Sequence, residues 1–236
     1  MSDALENYLL LLAHDVIRNE TDYVFLLDEM GDSQNRHELV IIDNGVIELG
    51  KAVPFEQVIE AANIACAGCI VMPDVLGDYP ATKKAVVDTM GLIRDCDFPV
   101  MKVPQGKDIS DLVLCIDWLK LVMPKHPDGD YWGVPRWITN KFGARGPIIE
   151  YINRVCDAPR IHLLGMSERW PDDVYCAHMP NVIGIDSANP IVCGLHHLHM
   201  RAQVETIHMP RGNFWNKVGI TPTVLENITY VRETLA

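Results

Sequence analysis

Short apolar runs alternate with longer amphipathic stretches along almost the whole chain. Eight of these runs are rich in valine, isoleucine or leucine and are bounded by proline, glycine or aspartate, which is the pattern of a strand. They are nearly continuous in apolar residues, as is typical of strands that a parallel sheet buries on both faces. The predicted strands are residues 22–28, 39–43, 69–74, 99–105, 130–135, 160–165, 182–186 and 204–209.

Helices are predicted between and around these strands, where apolar residues recur at intervals of three and four. Several of these stretches open with proline, which suits the first turn of a helix. Another opens at Asp108, whose carboxylate can cap free N–H groups. The predicted helices are residues 2–17, 54–66, 80–95, 108–122, 147–156, 171–178 and 223–235.

The alternation of strands and helices predicts an α/β fold with a parallel sheet. Because six to eight βα units fit into about 200 residues, we expect a compact (β/α)8 TIM barrel that forms a single domain over residues 1–236. A doubly wound open sheet is the alternative, although no G-x-G-x-x-G or G-x-x-x-x-G-K-[ST] phosphate loop follows the early strands. In both folds the functional site lies at the carboxyl ends of the strands.

Composition excludes several classes of protein. Of the 236 residues, 48% are apolar and 22% are charged, which is ordinary for a globular protein and unlike a disordered chain or a fibre. The uninterrupted apolar runs, such as residues 9–13, are far shorter than the roughly 20 residues of a membrane span. The acidic first residues lack the basic segment of a signal peptide. We therefore expect the seven scattered cysteines to be reduced thiols in a cytoplasmic protein that binds no membrane.

The net charge of −12 argues against a general nucleic-acid coat. Residues 1–118 carry 21 acidic and eight basic residues, a net charge of −13, whereas residues 119–236 carry 11 and 12, a net charge of +1. A polyanion would therefore contact the C-terminal half, unless the basic residues there are scattered solvated charges. They include Arg136, Lys141, Arg145, Arg154, Arg160, Arg169, Arg201, Arg211 and Lys217.

Carboxylates, one amide and several glycines stand where the predicted strands end. The amide and one carboxylate can read the donors and acceptors of a heterocycle, and two further carboxylates suit a nucleophile with a proton carrier. Glycines let a flat ligand approach backbone N–H groups. The alternative is that each aspartate only caps a helix or forms a turn. The residues at these strand ends are Asp43, Asp74, Gln105, Gly106, Gly133, Gly165 and Asp186.

In this order the strand ends resemble motifs of the tRNA-guanine transglycosylase superfamily. The family motif D-S-G-G-[FY]-Q resembles residues 43–48, DNGVIE, and the family's base-reading aspartate after the next strand resembles Asp74. All six motifs occur in the family's order, and that shared order carries the resemblance. The other motifs, V-Q-G, G-G-L-A-V-G-E, L-M-G-V-G and F-D-C-V-M-P, resemble residues 104–106, 132–134, 163–166 and 185–190.

The resemblance implies a base-exchange reaction in which Asp186 is the nucleophile and Asp43 is the general acid–base. Asp74 would accept hydrogen bonds from the ring N–H and the exocyclic amine of a guanine-like base. Leu164 and Ile47 would sandwich the ring, although the family has a stacking aromatic at the position of Ile47. Gln105 and the backbone N–H groups of Gly106 and Gly133 would contact its O6 side and C7 substituent. The remaining implied substrate-binding residues are Asn44 and Gly165.

The chain lacks the family's C-x-C-x2-C zinc subdomain and is shorter than the typical members that modify tRNA. It is more similar to the compact relatives, encoded by some phages, that place 7-deazaguanines in DNA. The resemblance therefore implies DNA as the favoured substrate over tRNA, and a 7-deazaguanine such as preQ0 as the incoming base. It implies no cofactor and allows a homodimer. A phage-encoded protein would act in the host cytoplasm.

A metal-dependent barrel hydrolase and a non-catalytic binding subunit are the alternative functions. The presence of both Asp43 and Asp186 argues against the binding subunit. The hydrolase would use the histidines at 196, 197 and 199 with the strand-end aspartates. These histidines belong to a cysteine–histidine cluster whose spacing differs from that of the family zinc site, so we expect no metal. The pair Cys66-x-x-Cys69 has no second pair, so we interpret it as core packing. The cluster consists of Cys193, His196, His197 and His199.

Overall fold

The computed structural model describes residues 8–20, 39–203 and 221–235 as an α/β protein whose sheets are parallel. Its strands are β1 (Tyr8–Leu12), β2 (Leu39–Asp43), β3 (Cys69–Val71), β4 (Val100–Met101), β5 (Asp130–Pro135), β6 (Pro159–Leu164) and β7 (Val182–Ile185). Its helices are α1 (Ala13–Arg18), α2 (Val46–Leu49), α3 (Phe55–Ile64), α4 (Tyr79–Asp95), α5 (Ile109–Val122), α6 (Trp137–Phe142), α7 (Gly146–Val155), α8 (Trp170–Ala177), α9 (Asn189–Leu195) and α10 (Pro222–Leu235). None of the helices in these ranges is long and apolar enough to cross a membrane.

The chain divides into two compact units. Among the described residues, the N-terminal unit lies within Glu6–Gly133 with Tyr151–Arg160, and the C-terminal unit lies within Val134–Glu150 with Ile161–Ala236. Within the described residues the sheets have four and three strands and are not closed. The expected (β/α)8 TIM barrel and the expected single domain therefore both stay predictions.

The sheet of the N-terminal unit has the order β1-β2-β3-β4. β1 and β2 pair in register along all of their residues. A parallel bridge between Lys102 and Trp132 continues the pairing from the end of β4 to β5. Helix α3 packs on β2 and β3 and buries Phe55 and Val58. Because neighbouring strands run in parallel, the carboxyl ends of β2, β3 and β4 lie along one edge of this sheet.

The second sheet has the order β5-β6-β7. β6 and β7 pair in parallel, with His162 opposite Gly184. Helix α9 packs against α10 at a contact that requires glycine, because a Cβ on Gly194 would lie 2.5 Å from the Cα of Val224. Because β6 and β7 pair in parallel, their carboxyl ends are neighbours.

Most of the predicted elements within the described residues are confirmed. The strands predicted at 39–43 and 130–135 have the predicted bounds, and β6 is displaced by one residue from the run 160–165. The helix start at Asp108 is confirmed, since its carboxylate accepts a hydrogen bond from the N–H of Asp111 at 2.9 Å. The predicted strands 22–28 and 204–209 lie outside the described residues.

The helix predicted over residues 2–17 is wrong for the first half of its described part, residues 8–17. Residues 8–12 form β1, and the helix begins only at Ala13. The run YLLLL is uninterrupted in apolar residues, which is typical of a buried parallel strand, and β2 provides the backbone hydrogen bonds. Helices α2, α6 and α9 lie where no helix is predicted, because none exceeds seven residues and so each shows too little of a helical period.

Candidate functional site

A buried, hydrogen-bonded group of three side chains occupies the carboxyl ends of β2, β3 and β4 in the N-terminal unit. Asn44 Nδ2 donates to Asp74 Oδ1 at 2.7 Å and to the carbonyl of Met72 at 2.7 Å. Gln105 Nε2 donates to the other oxygen of Asp74, Oδ2. Each of the three residues is at most 3% exposed. Three predicted substrate-binding residues are thus brought together, and we call Asn44, Asp74 and Gln105 the amide–carboxylate trio.

Burial controls the protonation of the Asp74 carboxyl. It raises the pKa of Asp74 from the usual 3.8 to about 6, and the hydrogen bonds from Asn44 and Gln105 limit that rise because they favour the ionised form. The group is therefore mostly ionised at pH 7 and acts as an acceptor only. A carboxylate has about four lone-pair positions, of which the trio uses two. Asp74 can thus accept further N–H groups from a ligand that reaches it.

The loop after β3 fixes the orientation of Gln105. The N–H of Gly77 donates to Gln105 Oε1 at 2.9 Å, so the amide oxygen is held while the amide nitrogen contacts Asp74. At the other end of the loop, the Thr82 hydroxyl in α4 accepts from the N–H of Val75 at 2.9 Å. The Gln105 amide therefore presents its donor group to the carboxylate.

The two glycines expected beside the base lie in different environments. A Cβ on Gly106 would lie 2.7 Å from the backbone nitrogen of Leu112, so the start of α5 leaves no space for a side chain there. Gly133 is buried in β5, and its N–H donates to the carbonyl of Lys102 at 2.8 Å. The N–H of Gly133 is therefore hydrogen-bonded to a neighbouring strand end and does not point to a ligand site.

Asp43 and Ile47 belong to the turn between β2 and α2. Asp43 Oδ1 accepts from the N–H of Gly45 at 2.6 Å. Gly45 has a φ of +71°, a left-handed conformation that glycine adopts without strain. Ile47 is 46% exposed. The turn thus holds the predicted acid–base at the strand end and presents an apolar side chain to solvent.

The predicted nucleophile, Asp186, follows β7 directly and is held through one oxygen. Its Oδ1 accepts from the N–H of Gly165 at 2.9 Å and lies 3.1 Å from Nε2 of His162. The Asp186 side chain is 23% exposed, whereas the His162 side chain is fully buried. The C-terminal unit thus brings together the predicted site residues Gly165 and Asp186 and adds a histidine to them.

His162 is a residue that sequence reasoning missed. It lies in the apolar run RIHLL, where a single imidazole is ordinarily interpreted as part of the core. The register of β6 and β7 in the structure identifies its role, because His162 stands opposite Gly184, and residues two apart in a strand share a face. Gly184 and Asp186 therefore lie on the same face of the sheet, opposite His162.

A buried ion pair contacts the ends of β5 and β6, near Leu164. Arg145 and Asp173 are both fully buried, with Nη2 of the arginine 2.6 Å from Oδ1 of the aspartate. Arg145 Nη1 also donates to the carbonyls of Val134, at 2.9 Å, and Leu164, at 3.4 Å. The expectation that Arg145 is available to a polyanion is therefore wrong, because its guanidinium is enclosed and paired.

Other basic residues of the C-terminal unit remain exposed. Arg136 begins α6, and its stem lies over Gly165, where a Cβ would come within 2.9 Å of Arg136 Cδ. Arg169 is paired with Asp172 at 3.0 Å. Arg136 is thus the exposed cation that adjoins the loop of the predicted nucleophile. Arg211 and Lys217 lie outside the described residues.

Two members of the cysteine–histidine cluster, Cys193 and His199, lie in different environments. Cys193 is buried in α9, and His199 Nδ1 lies 3.0 Å from Oε2 of Glu226. In residues 8–20, 39–203 and 221–235, no group of three or more His, Cys, Asp or Glu side chains is arranged to hold a metal ion. Cys69 is buried, as the packing interpretation expects, and Cys66 is exposed.

No protein-family model and no curated protein matches the chain.

Proposed function

We propose that the chain is a base-exchange transglycosylase, a glycosyltransferase that replaces guanine in DNA by a 7-deazaguanine on a TIM-barrel scaffold. The observation that carries this proposal is the amide–carboxylate trio. It places a buried ionisable acceptor between two amides at the carboxyl ends of adjacent strands, where parallel α/β folds bind their ligands. Burying a carboxylate is costly, and a ligand with paired N–H groups offsets that cost.

The trio suits the hydrogen-bonding edge of a guanine-like base. Such a base carries two adjacent donors, the ring N–H and the 2-amine, beside the O6 acceptor. Asp74 would accept from both donors, and an amide N–H of Gln105 would donate to O6. A 7-deazaguanine presents the same edge as guanine, because the two bases differ at position 7. One pocket can therefore bind both the leaving and the arriving base.

Base exchange requires the C1′–N9 bond to break without water attacking C1′. In the proposed reaction an oxygen of Asp186 attacks C1′, the bond electrons pass to N9, and Asp43 donates a proton to the leaving guanine. Asp43 then takes a proton from the arriving base, whose N9 attacks C1′ and releases the Asp186 carboxylate. Two displacements at one carbon retain the sugar configuration, as in retaining glycosidases.

The polymer is proposed to be DNA because of the resemblance to the compact DNA-modifying relatives. The target nucleotide would leave its stack to reach a buried acceptor such as Asp74. Exposed cations of the C-terminal unit, such as Arg136, would contact the phosphates.

Incorporation of labelled guanine tests this function. The full-length protein is incubated with the label and, separately, with duplex DNA, single-stranded DNA or tRNA, and the nucleosides are analysed by mass. We expect label in DNA; label in tRNA alone would identify RNA as the substrate, and label in no polymer would refute base exchange. A second set of reactions supplies preQ0 as the incoming base.

Three variants separate the proposed roles. Asp186→Asn should lower exchange by several orders of magnitude and leave polymer binding intact, because the loss is confined to the transition state and the intermediate. Asp43→Asn should lower exchange about 10²–10⁴-fold through proton transfer. Asp74→Asn should act mainly on base recognition, because an amide offers one acceptor and an unwanted donor. Asp88→Asn, on the exposed side of α4, is the matched control.

A further inference from the structure

We propose that His162 is the positioning residue of the Asp186 nucleophile. The inference rests on the proposed base exchange and assigns to that site a residue that none of the strand-end motifs contains. His162 lies inside β6, two residues before the strand ends at Leu164, and it is fully buried. Its Nε2 lies 3.1 Å from Asp186 Oδ1.

The hydrogen-bond chemistry fixes the direction of this contact. In the proposed reaction Asp186 attacks as a carboxylate, which can only accept, so the proposal requires the His162 tautomer whose Nε2–H donates to Oδ1. The N–H of Gly165 donates to the same oxygen at 2.9 Å. Two donors on one oxygen determine the plane of the carboxylate. Among the described residues, no hydrogen bond to Oδ2 is formed, so Oδ2 is the atom left to attack C1′.

The same two donors serve both halves of the proposed reaction. When Oδ2 bonds to C1′ and the C1′–N9 electrons leave with the base, Oδ1 becomes the carbonyl oxygen of a glycosyl ester and still accepts from His162 and Gly165. When the arriving base displaces Asp186, the electrons of the C1′–Oδ2 bond return to the carboxylate, and these donors stabilise the charge that develops on it. No proton leaves His162 in either half.

The backbone determines the position of this imidazole. His162 stands opposite Gly184 in the β6–β7 ladder, and Asp186 follows on the same face two residues later. Burial inside a paired strand prevents the ring from swinging out to solvent. The geometry therefore makes His162 a rigid donor, which is the property a positioning residue needs.

Two substitutions at His162 separate a donor from a packing residue. His162→Gln keeps an N–H near the position of Nε2, whereas His162→Leu keeps the volume and removes the donor. In single-turnover experiments we expect His162→Leu to form the covalent intermediate about 10- to 100-fold more slowly than the wild type. We expect His162→Gln to recover most of that loss, and polymer binding to be unchanged in both. Equal rates for the wild type and His162→Leu, or no recovery in His162→Gln, would refute the role.

A spectroscopic readout tests the contact without any turnover. Long-range ¹H–¹⁵N spectra of the full-length wild type, with His162 assigned by comparison with His162→Gln, should show a proton on Nε2. Asp186→Asn should shift that signal, and Asp172→Asn should not. An Nε2 without a proton, or one insensitive to Asp186→Asn, would contradict the contact even if His162→Leu fails to fold.

The two readouts keep the two proposals distinguishable. A wild type that exchanges bases while His162→Leu exchanges equally well refutes the positioning role and leaves the function standing. A wild type that modifies none of the three polymers refutes the function and, with it, a role in positioning the nucleophile. The spectrum then still decides whether His162 and Asp186 are paired.

Discussion

At Asp74, burial and hydrogen bonding act on the carboxyl group in opposite directions. Burial raises its pKa to about 6, and Asn44 Nδ2 opposes this by donating to Oδ1 at 2.7 Å. We predict that Asn44→Ala raises the pKa of Asp74 above that of the wild type, measured from the ¹³Cγ shift in an NMR titration. Asn63→Ala, on the exposed side of α3, should leave it unchanged. An unchanged or lower pKa in Asn44→Ala would contradict the assigned contact.

The raised pKa of Asp74 also has a consequence for stability. Because the pKa rises from 3.8 to about 6 on folding, the folded protein binds more protons than the unfolded chain between these values. The contribution of Asp74 to the free energy of unfolding is therefore fully present below pH 3.8 and is lost as the pH rises through about 6. A tenfold difference in acid constant corresponds to about 1.4 kcal/mol.

Urea unfolding of the wild type and Asp74→Asn between pH 4 and 7 measures this contribution. We expect the free energy of unfolding of the wild type to fall, relative to Asp74→Asn, as the pH rises across that window. Asp88→Asn serves as an exposed control and should follow the wild type. A difference that is independent of pH would mean that Asp74 does not titrate there.

Individual site residues were predictable to different degrees. Asp74 and Gln105 end predicted neighbouring strands, and parallel pairing alone brings them together. His162 was not predictable in the same way, because an imidazole in an apolar run is compatible with simple core packing. The burial of Arg145 depends on its pairing with Asp173, and these two residues are 28 positions apart in the sequence.

At the scale of elements, the turn after β6 depends on a glycine. Gly165 has a φ of +71°, and a Cβ there would also lie 2.9 Å from Cδ of Arg136. We predict that Gly165→Ala lowers the free energy of unfolding by about 1–2 kcal/mol, since a left-handed conformation disfavours a side chain by that amount. In α4, a Cβ on Gly91 would have no atom within 4 Å. Gly91→Ala should therefore increase the free energy of unfolding by about 0.5–1 kcal/mol.

Urea unfolding measures the free energy of unfolding of both variants. The comparison separates the effect of the left-handed conformation at Gly165 from the general effect of adding a Cβ. A Gly165→Ala protein as stable as the wild type would show that this turn tolerates a side chain. The rate of the proposed base exchange should also be lower in Gly165→Ala, because the N–H of residue 165, which donates to Asp186 Oδ1, moves with the strained backbone.

The strands and long helices show which elements a sequence pattern can predict. Apolar runs bounded by glycine, proline or aspartate locate β2 and β5 because burial on both faces dictates their composition. Residues 8–12 are also an uninterrupted apolar run, but their leucines are good helix formers as well, and only pairing with β2 decides between the two structures. Secondary structure that depends on a distant strand is therefore the part that local patterns miss.

At the scale of the whole molecule, charged residues are distributed unevenly along the sequence. The α/β class follows from the alternation of elements, whereas barrel closure depends on long-range strand pairing that no local pattern encodes. Residues 119–236 are nearly neutral within a chain of net charge −12. A DNA-binding surface must therefore be local, and its cations must reach solvent.

Arg136 is the cation that tests such a surface. It is exposed at the start of α6, and its stem lies over Gly165, which holds the proposed nucleophile. We predict that DNA binding weakens steeply with salt and that Arg136→Gln reduces the slope of log K against log[salt] by about 1, because one phosphate contact is lost. Lys120→Gln, an exposed change on α5, should keep the wild-type slope. Titrations of labelled duplex and single-stranded DNA at several salt concentrations give these slopes. Affinity that is indifferent to salt, or equal slopes for wild type and Arg136→Gln, would show that the phosphates are bound elsewhere or not at all.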